Sequence, residues 1–213
     1  MKDIFDNINI EFSDEILAAA DEAIRMHRRM KLTTDIIFKM FFCGKTPESK
    51  ECLRRYLSAI TNRNITSLTV SNPEILPEMI TGKNSRLDIN CTFDDGNTAD
   101  IELQCSKAND CQRNRALFYG AKLTANSVEE GSNYKDMKMS YQVMIVDYKE
   151  FKDRNDDDFY TEFVMYSKKK RIVLSECEKI IFIELPKLKK LINSNFDELS
   201  PLQFWSILLK YKL

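Results

Sequence analysis

The chain of 213 residues carries 32 basic and 33 acidic side chains, a formal net charge of −1, with 43% hydrophobic and 31% charged residues. That make-up describes an ordinary globular protein with one core, and near-neutrality leaves no whole-molecule field for a polyanion, so any nucleic-acid surface must be a local patch. No apolar run is long enough to span a bilayer, and the opening MKDIFDNINIEF carries acids where a secretion signal needs basic residues, which predicts a cytoplasmic protein with no membrane contact.

Several chemistries are set aside by residue type. The cysteines at 43, 52, 91, 105, 111 and 177 form no CxxC pair and no zinc or disulfide spacing, so they read as small hydrophobes. His27 is the only histidine and sits among Arg25, Arg28 and Arg29, which removes Ser–His–Asp and Cys–His nucleophiles. Neither GxxxxGK[ST] nor GxGxxG occurs, so nucleotide cradles are excluded.

In chain order, Ser13 or Asp14 caps a helix that runs to about Met30, with Ile16, Ala20, Ala23, Ile24 and His27 at helical spacing. TTDIIFKMFF predicts a short apolar helix with Asp35 and Lys39 four apart, the spacing of a helical ion pair. In KTPESKECLRRYLSAI, Thr46 caps, Pro47 suits the first turn, and Leu53, Tyr56, Leu57 and Ile60 form an apolar stripe. Its opening acids, Glu48 and Glu51, suit the helix dipole. SLTVSNPEIL predicts a first strand, and residues 109–128 a helix capped by Asn109 or Asp110. YQVMIVDY is apolar almost throughout, as in a strand buried on both faces. FYTEFVMYS, RIVLS and KIIFIELPKL predict shorter strands, and SPLQFWSILLKY a closing helix. DRNDDDF, at 153–159, reads as the one charge run, a solvated loop. The order predicts a mixed α/β sheet flanked by helices.

RLDINCTFDDGNTADIELQC is the informative stretch. Leu87, Ile89, Cys91 and Phe93 alternate with Asp88, Asn90 and Thr92; Ala99, Ile101, Leu103 and Cys105 alternate with Asp100, Glu102 and Gln104. Each strand therefore has one core face and one polar face. A two-residue turn at Asp95–Gly96 mismatches the faces. A three-residue loop of Asp95, Gly96 and Asn97 matches them, with Phe93 opposite Ala99, Cys91 opposite Ile101 and Ile89 opposite Leu103. Asp88 then faces Gln104, with Glu102 on the diagonal at roughly 5–8 Å. Two carboxylates about 5 Å apart repel by roughly 3 kcal/mol at an effective dielectric near 20. A proton, an Arg or Lys partner, or a hard cation such as Mg²⁺ relieves that repulsion. The competing reading is a solvated sheet face bearing acids for solubility, the reading assigned to Asp100.

Asp88, thirteen intervening residues and then Glu102-x-Gln104 across a hairpin resemble the PD-(D/E)xK nuclease core, and more closely the recombination-promoting nuclease (Rpn) family of transposases. TTDIIFKMFF resembles that family's Asp-x-x-Phe-Lys element, RNRALFYGAKL its Arg- and Tyr-bearing helix, and FIELPKL a late strand motif. The ordered set covers residues 32–213, leaving 1–31 as an N-terminal helical extension.

The resemblance implies a restriction-endonuclease-like αβββαβ core and an endonuclease acting on DNA with Mg²⁺ or Mn²⁺. Asp88, Glu102 and the backbone carbonyl of Leu103 would hold the metal. Gln104 stands at the usual Lys position, where it can orient water or hold phosphate but supplies no charge. Lys107, Arg113 and Arg115 are candidate phosphate contacts, with Asp35 and Lys39 as accessory residues, and Glu48 or Glu51 lies where the superfamily sometimes adds a carboxylate. Two cuts in a duplex call for two sites, which makes a homodimer a candidate assembly. The alternatives to an active nuclease are a nuclease-fold protein that binds DNA or a partner without cutting, and an interaction module with solvated acids.

Overall fold

A computed structural model describes residues 35–44, 46–71, 88–105, 112–128, 131, 133–151 and 157–211. The helix expected before residue 31, with His27, lies outside them, as does Lys107. Helix α1 is Asp35–Cys43 and α2 is Pro47–Thr61. Strands β1 (Leu68–Val70), β2 (Ile89–Phe93) and β3 (Thr98–Gln104) follow, then helix α3 (Gln112–Asn126) and strand β4 (Ser140–Val146). Strands β5 (Tyr160–Phe163), β6 (Tyr166–Ser167), β7 (Ile172–Val173) and β8 (Glu178–Glu184) precede α4 (Pro201–Tyr211).

Six strands form one sheet in the order β1-β2-β3-β4-β8-β5. β1, β2 and β3 are antiparallel neighbours, β3, β4 and β8 run parallel, and β5 returns antiparallel on the outer edge. The parallel step from β3 to β4 needs a crossover, which α3 supplies. β4 is buried at every residue, as its almost wholly apolar run predicts.

The sheet's two faces differ in chemistry. One presents Ile89, Cys91, Phe93, Ala99, Ile101, Val143, Ile145, Ile181 and Ile183 to a single apolar core. Against it lie Phe38 and Phe42 of α1, Leu53, Tyr56, Leu57 and Ile60 of α2, and Ile207 and Leu209 of α4. The local signals act as expected in α2: the Thr46 hydroxyl accepts from Ser49 N at 3.2 Å, and Asn62 closes the helix at φ 51°. The other face carries Asp100, Glu102, Ser140 and Gln142 beside Met144, Val146 and Phe182, and α3 covers it through Ala116 and Gly120.

The hairpin register differs from the sequence expectation by two residues. Ile89 pairs with Ile101 and Cys91 with Ala99. The loop is Asp94-Asp95-Gly96: Gly96 N donates to Phe93 O at 3.0 Å, Phe93 N donates to Asn97 O at 2.8 Å, and Gly96 takes φ 84°. Gly96 is the residue that adopts this left-handed conformation without a Cβ penalty, so the loop closes one residue earlier. Asn97 is then free for a different task, accepting from Met139 N at 2.9 Å and so fixing the start of β4.

FIELPKL closes the far end. Glu184 is fully buried; it pairs with Lys187 Nζ at 2.6 Å and accepts from Glu150 N and Phe151 N at 2.7 and 3.1 Å. Lys187 also donates to Asp158 O at 2.9 Å, so the pair clips both ends of the β4–β5 connection. Removing one partner from such a pair strands a buried charge. Lys187→Met is expected to lower unfolding free energy by about 3–5 kcal/mol in a urea titration.

Candidate active site

Because Ile89 is level with Ile101, the residue before Ile89 falls level with the residue after Ile101. Asp88 therefore stands directly across from Glu102, not from Gln104. The shift of two preserves the faces, so Asp88, Asp100, Glu102 and Gln104 remain on one side. Asp88 accepts from Asn90 Nδ2 at 2.9 Å on the same face. Gln104 O accepts from Asp147 N at 3.0 Å toward β4, and strand alternation then turns the Leu103 carbonyl toward the β2 edge, where Asp88 lies.

Asp100 is not the solvated acid expected from alternation: it is only 5% exposed, and Glu102 only 6%. Helix α3 shuts this part of the face from water. Burial pushes the Asp100 carboxyl up to about 7; the charges of Asp88 and Glu102 add to the rise, while a hydrogen bond from Gln142 and the charge of Arg115 oppose it. Three carboxylates thus feel one another.

Among the described residues, Arg115 is a cation bonded into this group. Its Nη2 donates to Glu102 Oε1 at 3.0 Å and its Nη1 to Gln104 Oε1 at 3.3 Å. The residue offered by the sequence as a phosphate contact thus lies on the carboxylate face itself. The bond to Arg115 also orients Gln104: with its oxygen accepting from the guanidinium, the amide nitrogen, a donor, points the other way.

Arg113, the other candidate on this helix, is held by different partners. It donates to the Glu150 carboxylate and carbonyl, both at 2.9 Å, and lies 4.6 Å over the Phe151 ring, so it clasps α3 to the loop after β4. Lys39 is no solvated partner on a helix surface: it is wholly buried. Burial pushes the neighbouring Cys43 thiol up to about 12, with the Lys39 charge pulling the other way. The Asp35 side chain is outside the described residues; the residue itself opens α1. Glu51 binds Arg54 and Arg55 of its own helix, both at 2.7 Å, and those bonds hold its carboxyl well below the usual range, to about 2. Glu48 is exposed in the first turn.

Sequence reading passed over two features. Asp100 shares the alternating phase of Asp88 and Glu102, a legible signal, but its burial depends on α3. DRNDDDF is also not the only charge run, since Lys168, Lys169, Lys170 and Arg171 form a second, all exposed.

Compared with known proteins, residues 32–212 match the family model described as PD-(D/E)XK nuclease family transposase. The chain belongs to this family. No curated protein and no solved structure matches it. As a PD-(D/E)XK family member it has the α/β, restriction-endonuclease-like fold: α2, β1, β2, β3, α3 and β4 follow the αβββαβ order, and the acidic hairpin sits at the centre of the mixed sheet. No helix among the described residues is long and apolar enough to cross a membrane.

The Asp100 environment has a pH signature. With a carboxyl near 3.8 in the unfolded chain and about 7 in the folded one, the folded state holds a proton the unfolded state has lost. Stability of the metal-free protein is therefore expected to fall as pH rises from 4 to 7 and to level off above. Asp100→Asn removes that slope and stabilises the protein above pH 7 by roughly a few kcal/mol at most, with no gain below pH 4, in paired urea titrations across pH.

Proposed function

We propose that the chain is a metal-dependent DNA endonuclease of the recombination or mobile-element type. Asp88, Glu102 and the Leu103 carbonyl would hold Mg²⁺ or Mn²⁺. Residues 32–213 would form the nuclease-like domain, with 1–31 as an extension outside it. One observation carries the reading: Asp88 and Glu102 face each other beside buried Asp100, with Arg115 as the cation bonded into the group. Carboxylate oxygens brought together in this way are the donors a divalent cation takes.

The donor set fits such an ion. Hard carboxylate and carbonyl oxygens suit Mg²⁺, which keeps several waters and needs few protein ligands. Among the described residues no group of three or more His, Cys, Asp or Glu side chains is gathered to hold a metal, so the proposed ligand set is two carboxylates, a carbonyl and solvent. When bound, the metal lowers the pKa of water and neutralises charge developing on a phosphate. The remaining roles belong to the chain. Gln104, oriented by Arg115, donates its amide to a water or a phosphate oxygen. Arg115 supplies the positive charge that Lys has at position 104 in the general pattern. Asp100, its carboxyl raised by burial to about 7, carries less than a full third charge on the face near neutrality.

A second reading is favoured by the same arginine. Because Arg115 takes Glu102 Oε1 and Gln104 replaces Lys, a protein that binds DNA without cutting it also accounts for the site. Plasmid nicking in Mg²⁺ or Mn²⁺ separates the two. Wild type is expected to nick, with Asp88→Asn and Glu102→Gln each slower by on the order of 100-fold or more. Equal cutting by all three marks a contaminant and overturns the endonuclease; retarded DNA with no nicking by wild type supports the second reading. Independently of activity, Mg²⁺ is expected to raise the melting temperature of wild type and leave Asp88→Asn unmoved, since only a ligand bound by the folded state stabilises it.

A further inference from the structure

Residues 164–175 stand apart from both cores. β6 and β7 form their own two-stranded sheet, with Tyr166 paired to Val173 and Ser167 to Ile172. Leu174 N donates to Met165 O at 2.8 Å and continues the ladder toward the base. The tip is a four-residue loop, Lys168-Lys169-Lys170-Arg171. Arg171 N donates to Ser167 O at 2.8 Å, Ser167 Oγ accepts from Lys170 N at 3.3 Å, and Arg171 turns the chain at φ 55°. The tip is thus a built turn that presents four cations in succession.

Two properties of this ribbon require a partner. No acid occurs between residues 163 and 175, and none of the four cations makes an ion pair with a described acid, in a chain whose net charge with all four counted is −1. The apolar side chains are also unpacked: Met165, Ile172 and Leu174 are more than half exposed, and neither core includes them. A run of cations at the end of a narrow ribbon is complementary to a polyanion. A two-fold pairing of copies through these tips would bring eight like charges together.

We propose that the ribbon is an arm that docks on duplex DNA, with Lys168, Lys169, Lys170 and Arg171 neutralising backbone phosphates. This deepens the nuclease reading and rests on it. The major groove, about 12 Å wide, admits a two-stranded ribbon. Position fits as well. The ribbon leaves β5 at Phe163, which pairs with Ile180, two residues before Phe182; Phe182 is level with Glu102 through Met144. Three strand spacings of about 4.8 Å and two residues of about 3.3 Å put the ribbon's base roughly 16 Å from Glu102. That is about five base pairs at 3.4 Å each, so one duplex reaches the cutting face and the arm together. The contact reads phosphates, not bases, and holds the duplex in place irrespective of sequence.

The test measures binding to a duplex of about 30 base pairs by fluorescence anisotropy across a salt series, in EDTA so that nothing is cut. Wild type is compared with a variant carrying Lys168→Gln, Lys169→Gln, Lys170→Gln and Arg171→Asn, the last chosen because Asn tolerates the left-handed backbone. Loss of up to four phosphate contacts is expected to reduce the slope of log K against log salt by about 3, and affinity near physiological salt by at least about 10-fold. The melting temperature should not change, since the ribbon contributes to neither core. An unchanged slope and affinity overturn the proposal. So does a variant that binds the duplex normally but falls from dimer to monomer in sedimentation, which would make the ribbon a contact between copies. Failure of the nuclease reading looks different: wild type that never nicks a plasmid yet shows the full slope sinks the cutting activity and leaves the arm standing, whereas wild type that nicks beside a ribbon variant with an unaltered slope sinks the arm alone.

Discussion

A sheet face that carries carboxylates and is roofed by a helix cannot be neutral to its surroundings. Asp100 and Glu102 are nearly closed off from water, Asp88 lies across from Glu102, and the Arg115 guanidinium bonds to Glu102. In a low-dielectric setting each added charge is costly, and the rise of the Asp100 carboxyl toward neutral pH expresses that cost. The other elements bearing on the site position these groups or adjust the balance among them.

Helix α3 is held independently of the acids it covers. At one end Arg113 clasps Glu150 and lies on the Phe151 ring; at the other, the hydroxyls of Thr124 and Ser140 meet at 2.6 Å. Between them Gly120 lets the helix approach the sheet so closely that a Cβ there would come within 2.6 Å of Glu178 Oε1. Arg115 is thereby delivered to Glu102 and Gln104 by a helix anchored on both sides. The loop that receives Arg113 is in turn secured by the buried Glu184–Lys187 pair. A late sequence motif far from the hairpin thus supports the placement of a charge at the hairpin.

The division of labour between the faces follows from packing. The apolar face is filled by three helices and tolerates no movement without opening voids. The polar face is covered by one helix, and its Asp88 end is less buried than Asp100 and Glu102 deeper in the sheet. A rigid back and a charged front are what a site needs to hold an ion and a phosphate at fixed separation. The cationic ribbon beyond β5 lies on a separate small sheet that contributes to neither apolar cluster.

What the sequence determined by itself was parity. Alternation of period two placed Asp88, Asp100, Glu102 and Gln104 on one face, and a two-residue difference in pairing register left that assignment untouched, because shifting by two restores the same side. The helices were legible for the same local reason, with Thr46 and Pro47 opening α2 and an apolar stripe marking its buried side. Tertiary structure decided which residues face which and which charges offset which. Gly96 and the bond from Met139 N to Asn97 settled the register; the descent of α3 buried Asp100 and set Arg115 on Glu102; the packing around α1 buried Lys39. Those outcomes depend on groups far apart along the chain, whereas periodicity reports only what a residue's near neighbours require.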